Sequence, residues 1–160
     1  MTAPIEFKRA MRHVPTGVTV VTSLRNGEPR GMTVNAFASV SADPPQLLIC
    51  INREARSYLY IASSLIFCLN VLAGDQRHLA EHFSGKVRER QFEAIPFDVD
   101  VTGAPVLRGT IAHFDCEVVQ EHHSGSHSIM IGRVVSCGAR TGSPLGYFNA
   151  GFHDFGIRVD

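Results

Sequence analysis

The chain has 160 residues with 15 basic and 15 acidic side chains, so its formal net charge is zero and it carries no electrostatic footprint for nucleic acid or an anionic membrane. Hydrophobic residues make up 44% and charged ones 19%, a soluble globular balance, and the length suits one domain over residues 1–160 with a single core. No apolar run reaches membrane-spanning length and no charged segment leads into an apolar one at the N-terminus, so a cytoplasmic protein is expected.

Ile5 to Val14 is patterned as a short amphipathic helix, with Ile5, Met11 and Val14 apolar against Lys8, Arg9 and Arg12. Gly17 to Leu24 is rich in valine and threonine and reads as a strand. Asn26-Gly27 follows as a tight hairpin turn, since both residues tolerate positive φ. The partner strand enters the segment Gly31–Ser41. An extended chain sets Thr33, Asn35, Ser39 and Ser41 on one side and Met32, Val34 and Val40 on the other, which suits a buried surface. That polar row reads either as a platform for a flat ligand with a phosphate tail or as the wet face of an antiparallel strand. Asp43-Pro44-Pro45 ends the strand, because proline lacks a ladder N–H and restricts its predecessor.

Gln46–Ile51 is an apolar run of strand length, and Arg56–Ser63 is helical. Asn52, Arg53 and Ser57 fall at the N-terminus of that helix, where unpaired N–H groups attract anions; the alternative is a plain cap. Leu65–Leu72 reads as a buried strand, and Asp75–Phe83 as a helix capped by Asp75. Gly85–Glu93 is a solvated loop or short helix with Arg88 and Arg90 on its wet face, and Val99–Leu107 is irregular edge structure. Thr110–Glu121 and His127–Cys137 are long strands joined by the loop His122–Ser126, and Gly142–Gly156 is an ordered loop tail among aromatics. Many strands with few helices predict a mainly β fold, an antiparallel barrel with helical inserts.

No Gly-x-Gly-x-x-Gly and no P-loop occurs, so any phosphate must be held by loop amides, hydroxyls and arginines. Cys50, Cys68, Cys116 and Cys137 are widely spaced and read as reduced core thiols. His78-Leu-Ala-Glu-His82 matches the inverted zinc-protease pattern with both histidines on one helix face, but no third ligand can be identified. His122 and His123 suit a solvated hairpin tip better than a metal site, and no metal is expected.

Thr16-Gly-Val-Thr-Val-Val-Thr, Gly31-Met-Thr-Val-Asn-Ala-Phe-Ala-Ser-Val-Ser, Asp43-Pro-Pro, Cys50-Ile-Asn-Arg, Leu69-Asn-Val-Leu, Leu79-Ala-Glu-His-Phe-Ser-Gly, Pro105-Val-Leu and Ile131-Gly-Arg-Val occur in this order. In order and spacing, from about Phe7 to Phe152, the chain resembles the small flavin reductase family, the reductase components of two-component flavin-dependent monooxygenases. The resemblance implies an antiparallel split β-barrel of the FMN-binding type, built as a homodimer with flavin near the subunit interface. It implies hydride transfer from NADH or NADPH to FMN or FAD, with reduced flavin passing to a separate monooxygenase. It places Thr33, Val34, Asn35, Ala36, Ser39 and Ser41 against the isoalloxazine and ribityl, and Asn52, Arg53 and Ser57 at the phosphate. Ser84 would sit beside the flavin, with His127 and Tyr147 toward the nicotinamide; Tyr147 and Phe148 suit either the rings or the dimer seam.

One motif departs from the family. Gly125-Ser126-His127 stands where the family has Gly-Asp-His, which removes the carboxylate that would orient the imidazole. That departure favours one alternative, a non-catalytic flavin-binding module; a second, a flavoprotein that keeps its flavin and reduces another acceptor, would show tight, non-exchanging flavin.

Overall fold

The computed structural model describes residues 2–155. In chain order the elements are α1 (Pro4–Met11), β1 (Thr16–Gly17), β2 (Thr19–Arg25), β3 (Glu28–Val34), β4 (Phe37–Ala42), β5 (Pro45–Asn52), α2 (Arg56–Ser64), β6 (Ile66–Val71) and α3 (Arg77–Glu81). A π-helical turn, His82–Lys86, follows, then β7 (Phe97–Val99), β8 (Pro105–Leu107), β9 (Ala112–Ser124), β10 (His127–Ala139), β11 (Leu145–Phe148) and β12 (Gly151–Asp154). Seven strands form one antiparallel sheet in the order β3-β2-β6-β9-β10-β5-β4. Its two outermost strands are consecutive in the chain, joined only by Asn35 and Ala36, and the Cys50 N–H donates to the Ala36 carbonyl at 2.9 Å. So short a link between opposite edges requires the sheet to curl on itself, which is the expected split barrel.

Alternation fills the barrel. On β5 the inward Leu47, Ile49 and Ile51 are buried and join Val21, Val34, Ile61, Phe67, Leu69 and Met130 in one core. A second core, Val18, Val20, Leu72, Leu79, Ala80, Phe83 and Leu107, lies where α3 and the small sheet β1-β11-β12 cover the outside of β2. Asn70 is fully buried and fully engaged: its amide donates to the Val20 carbonyl and its carbonyl accepts from Leu107 N–H at 2.8 Å, which ties β8 to β6. A buried amide left unpaired would be costly, so this knot fixes the β7–β8 hairpin in place.

Asn26 and Gly27 both take positive φ, as the predicted turn requires, and Arg25 pairs with Glu28 across it. Several expectations are corrected. The polar row does not form one strand: Thr33 lies on β3, Ser39 and Ser41 on β4 at the opposite edge of the sheet, and Val40 is 44% exposed rather than buried. Asp75 does not cap α3; Gln76 precedes the helix, its side chain accepting from Ala73 N–H and donating to the Arg108 carbonyl. Val99–Leu107 ends in the paired strands β7 and β8, and the glycine-rich tail forms the hairpin β11–β12, with Gly156 outside the described residues. β9 runs through His122 and His123, so the hairpin tip is Gly125–Ser126 alone. The amphipathic helix buries none of its residues, leaving Ile5 and Phe7 exposed, and Cys137 is exposed rather than core. No helix among the described residues is long and apolar enough to cross a membrane.

Candidate functional site

A cleft of about 680 Å³ opens where β3, the start of α2, the α3–π-turn unit and the aromatic hairpin β11–β12 meet. Its floor is built by a close approach. Gly31 lies under the ring of Phe83, with an ideal Cβ position only 2.7 Å from two ring carbons, so glycine is what lets β3 and the π-turn touch. The floor's hydroxyls are tied to the scaffold. Thr33 Oγ1 donates to the Ala80 carbonyl at 2.7 Å, Ser57 Oγ to the Gly31 carbonyl at 3.3 Å, and Ser84 Oγ to the Glu81 carbonyl at 2.7 Å. A hydroxyl has one proton to give, so these three face the cleft as acceptors only. Donors must come from elsewhere.

They come from the far end. α2 begins at Arg56 after Ala55, with no side-chain cap, and Ala55, Arg56 and Ser57 all line the cleft, leaving the leading N–H groups of the helix for an incoming acceptor. Arg30, Arg56 and Arg88 line the same end, against Glu54. Glu89, hydrogen-bonded to Arg56, has its carboxyl held below the usual range by that guanidinium. At the near end Tyr147 and Phe152 meet edge to face at 5.6 Å, and Asn35 donates weakly to Thr16 Oγ1 at 3.4 Å. The cleft therefore has an aromatic end, an acceptor floor and a cationic end.

Gln91 closes one side. Its Oε1 accepts from Gly31 N–H at 3.2 Å, its Nε2 donates to the Val87 carbonyl at 2.9 Å, and His82 Nε2–H donates to its backbone carbonyl at 2.8 Å. His82, half of the zinc-protease pattern, is thus engaged in holding the loop after the π-turn.

Of the residues singled out in the sequence, Thr33, Asn35, Ser57, Ser84 and Tyr147 line this cleft. Val34, Ala36, Ser39, Ser41, Asn52, Arg53 and His127 do not. Val34 is buried in the barrel, and Ser41 Oγ is engaged with the Asp43 backbone. Asn52 Oδ1 accepts from Glu54 N–H at 3.0 Å and so shapes the turn into α2, while Arg53 reaches the Gly125 carbonyl at 2.6 Å. His127 faces Asn52 across β5 and β10, and its Nδ1 lies 2.9 Å from Ser126 Oγ, so a hydroxyl stands where the family has a carboxylate. Beneath this tip Glu121 accepts from Ser128 at 2.5 Å, which holds its carboxyl below the ordinary range, while burial and the Glu121 hydrogen bond push the Tyr58 phenol up. Phe83 lies in the segment Leu79–Gly85 that carries the family resemblance, whereas Arg88 is expected on a wet face and nothing in the sequence marks Arg30 or Gln91; all four line the cleft.

The chain matches the flavin reductase like domain over residues 11–156. It is 36% identical over 149 residues to the Agrobacterium fabrum FMN reductase (NADH) SmoA, covering 93% of this chain and 84% of that protein. It is 33% identical over 150 residues to the reductase component of a Rhodococcus opacus 4-nitrophenol 4-monooxygenase/4-nitrocatechol 2-monooxygenase, covering 94% and 80%. The solved Streptomyces globisporus NADH:FAD oxidoreductase SgcE6, in complex with NAD and FAD fragments, superposes with a TM-score of 0.92 at 31% identity, covering 100% of this chain and 99% of that one. By sequence over nearly its whole length and by fold, this chain belongs to the flavin reductase like family.

Proposed function

We propose that this protein is a nicotinamide-dependent flavin reductase that supplies reduced flavin to a separate monooxygenase, with NADH, the donor named for its relatives, as the hydride source. The observation that carries this reading is the polarity of the cleft: apolar rings and an acceptor floor at one end, an uncapped helix start with three arginines at the other. Flavin has the same polarity, a flat ring with an N–H edge joined to a phosphate. The bound flavin would supply the hydride-accepting ring. The chain's own residues then bind and orient. Thr33 and Asn35 meet the ring, the α2 N–H groups with Arg30, Arg56 and Arg88 hold the phosphate, and Tyr147 and Phe152 keep water from the ring. Holding two rings in attack geometry supplies several kcal/mol of the barrier without any strong acid or base.

The working form is a homodimer. Cys50 pairs with Ile129 and Leu48 with Ile131 across β5 and β10, and these outward side chains form an apolar row beside the exposed Val40. His127 and Asn52 end that row, so a second copy seated on it would receive His127 near its own cleft, where the nicotinamide enters. Steady-state oxidation of NADH with and without added FMN or FAD tests the activity. A rate that rises and saturates with free flavin is expected. Flavin binding without NADH or NADPH turnover would sink the reductase reading in favour of a flavin-binding module.

A further inference from the structure

A second hollow of about 480 Å³ adjoins the cationic end of the cleft, and Arg30 and Gln91 line both. Its wall is aromatic: Tyr60 from α2, Phe92 and Phe97, the last two edge to face at 5.3 Å. The Arg30 guanidinium lies over the Tyr60 ring, 5.7 Å from its centroid, and Nη1 donates to the Arg88 carbonyl at 3.1 Å. Among the described residues, Arg30 Nε is the one buried side-chain nitrogen or oxygen with no hydrogen-bond partner. Nε is enclosed by the protein itself, so an acceptor that bridges the two hollows meets the Arg30 guanidinium through its Nη groups at their junction. The outer hollow is rimmed by Glu28, Glu89 and Glu93, which repel a phosphate but accept from an exocyclic amine.

We infer that the outer hollow seats the adenine of FAD, with the second phosphate at Arg30, so that this chain binds FAD in preference to FMN. The inference rests on the flavin reading of the main cleft. FMN ends at the arginines and leaves the outer hollow to water. FAD continues past Arg30, and its base lies against Tyr60 and the Phe92–Phe97 wall, a contact every purine face can make.

Dissociation constants of FAD and FMN, measured by calorimetry on the wild type and on Tyr60→Ala, test it. Stacking of one base predicts FAD binding about tenfold tighter than FMN in the wild type. Tyr60→Ala should erase that advantage while leaving FMN affinity unchanged, and the unchanged FMN value also shows that the variant is folded. Equal wild-type affinities overturn the inference, as does a Tyr60→Ala variant that weakens both flavins alike. It is equally overturned if the variant leaves both flavins alone and raises only the KM for NADH, because the hollow then serves the hydride donor. If neither flavin binds the wild type, the flavin reading itself fails, an outcome distinct from the others.

Discussion

At Gly31 the distance between β3 and Phe83 leaves no room for a methyl group, since both nearest ring carbons stand 2.7 Å from the ideal Cβ position. Phe83 is 1% exposed and stacks on Phe92 at 5.2 Å, so its ring has nowhere to retreat. Gly31→Ala should therefore destabilise the fold by about 1–3 kcal/mol, the usual range for overpacking, and weaken flavin binding as the floor is pushed into the cleft. Thermal denaturation and a flavin titration check this; an unshifted Tm would mean that β3 slides freely against the π-turn. At this scale the sequence told residue types better than roles. Thr33, Ser57 and Ser84 are in the cleft, but their protons are engaged with backbone carbonyls, a partnership no spacing can display. Arg30, between Pro29 and Gly31 on an edge strand, looks like any charge that blunts a sheet edge, and only the fold sets it between two hollows.

Elements rather than residues decide how the cleft is shut. The loop after the π-turn is held by Gln91, 5% exposed, which satisfies the Gly31 N–H on the strand and the Val87 carbonyl on the loop. Gln91→Ala leaves a buried N–H without a partner and releases the loop from β3. The expected loss is about 1–3 kcal/mol, the cost of an unsatisfied buried group, together with faster proteolytic cleavage between Gly85 and Gln91. Limited proteolysis with mass spectrometry reads this; an unchanged cleavage rate would place the hold in His82 and the Phe83–Phe92 contact instead. The break between β3 and β4 was illegible for a related reason. Polar side chains return at every second position from Thr33 to Ser41 save at Phe37, and no proline or glycine marks Asn35-Ala36. The one break in the pattern, the apolar triplet Ala36-Phe37-Ala38, lies at the crossing, but a single apolar residue on the polar side of a strand is no turn signal, so periodicity reported the strands and not the crossing. The hairpins β2–β3 and β9–β10 were legible because their turns carry glycine at positive φ.

For the molecule as a whole, the four cysteines report on which surfaces are covered. Cys68 and Cys116 lie in the barrel, and burial reinforced by Asp115 pushes both thiols up, Cys116 to about 12, so neither forms the reactive thiolate at neutral pH. Cys137 is exposed near the end of β10. Cys50 is half-buried in the chain by itself, beside Ile129 on the apolar row assigned to a second copy. A native dimer should therefore show one fast-reacting thiol per 17.5 kDa chain with an aromatic disulfide reagent at pH 8, and all four in denaturant. Light scattering on the same sample should give twice the chain mass. Dilution into the monomer range should then add Cys50 as a second reactive thiol, and Ile129→Asp, which sets a charge in the row, should do so at any concentration. Two fast thiols at a concentration where the mass is already doubled would move the seam elsewhere. His127 would then lose its route into a neighbouring cleft, and nicotinamide would have to be oriented by Tyr147 and Phe152 of the same chain.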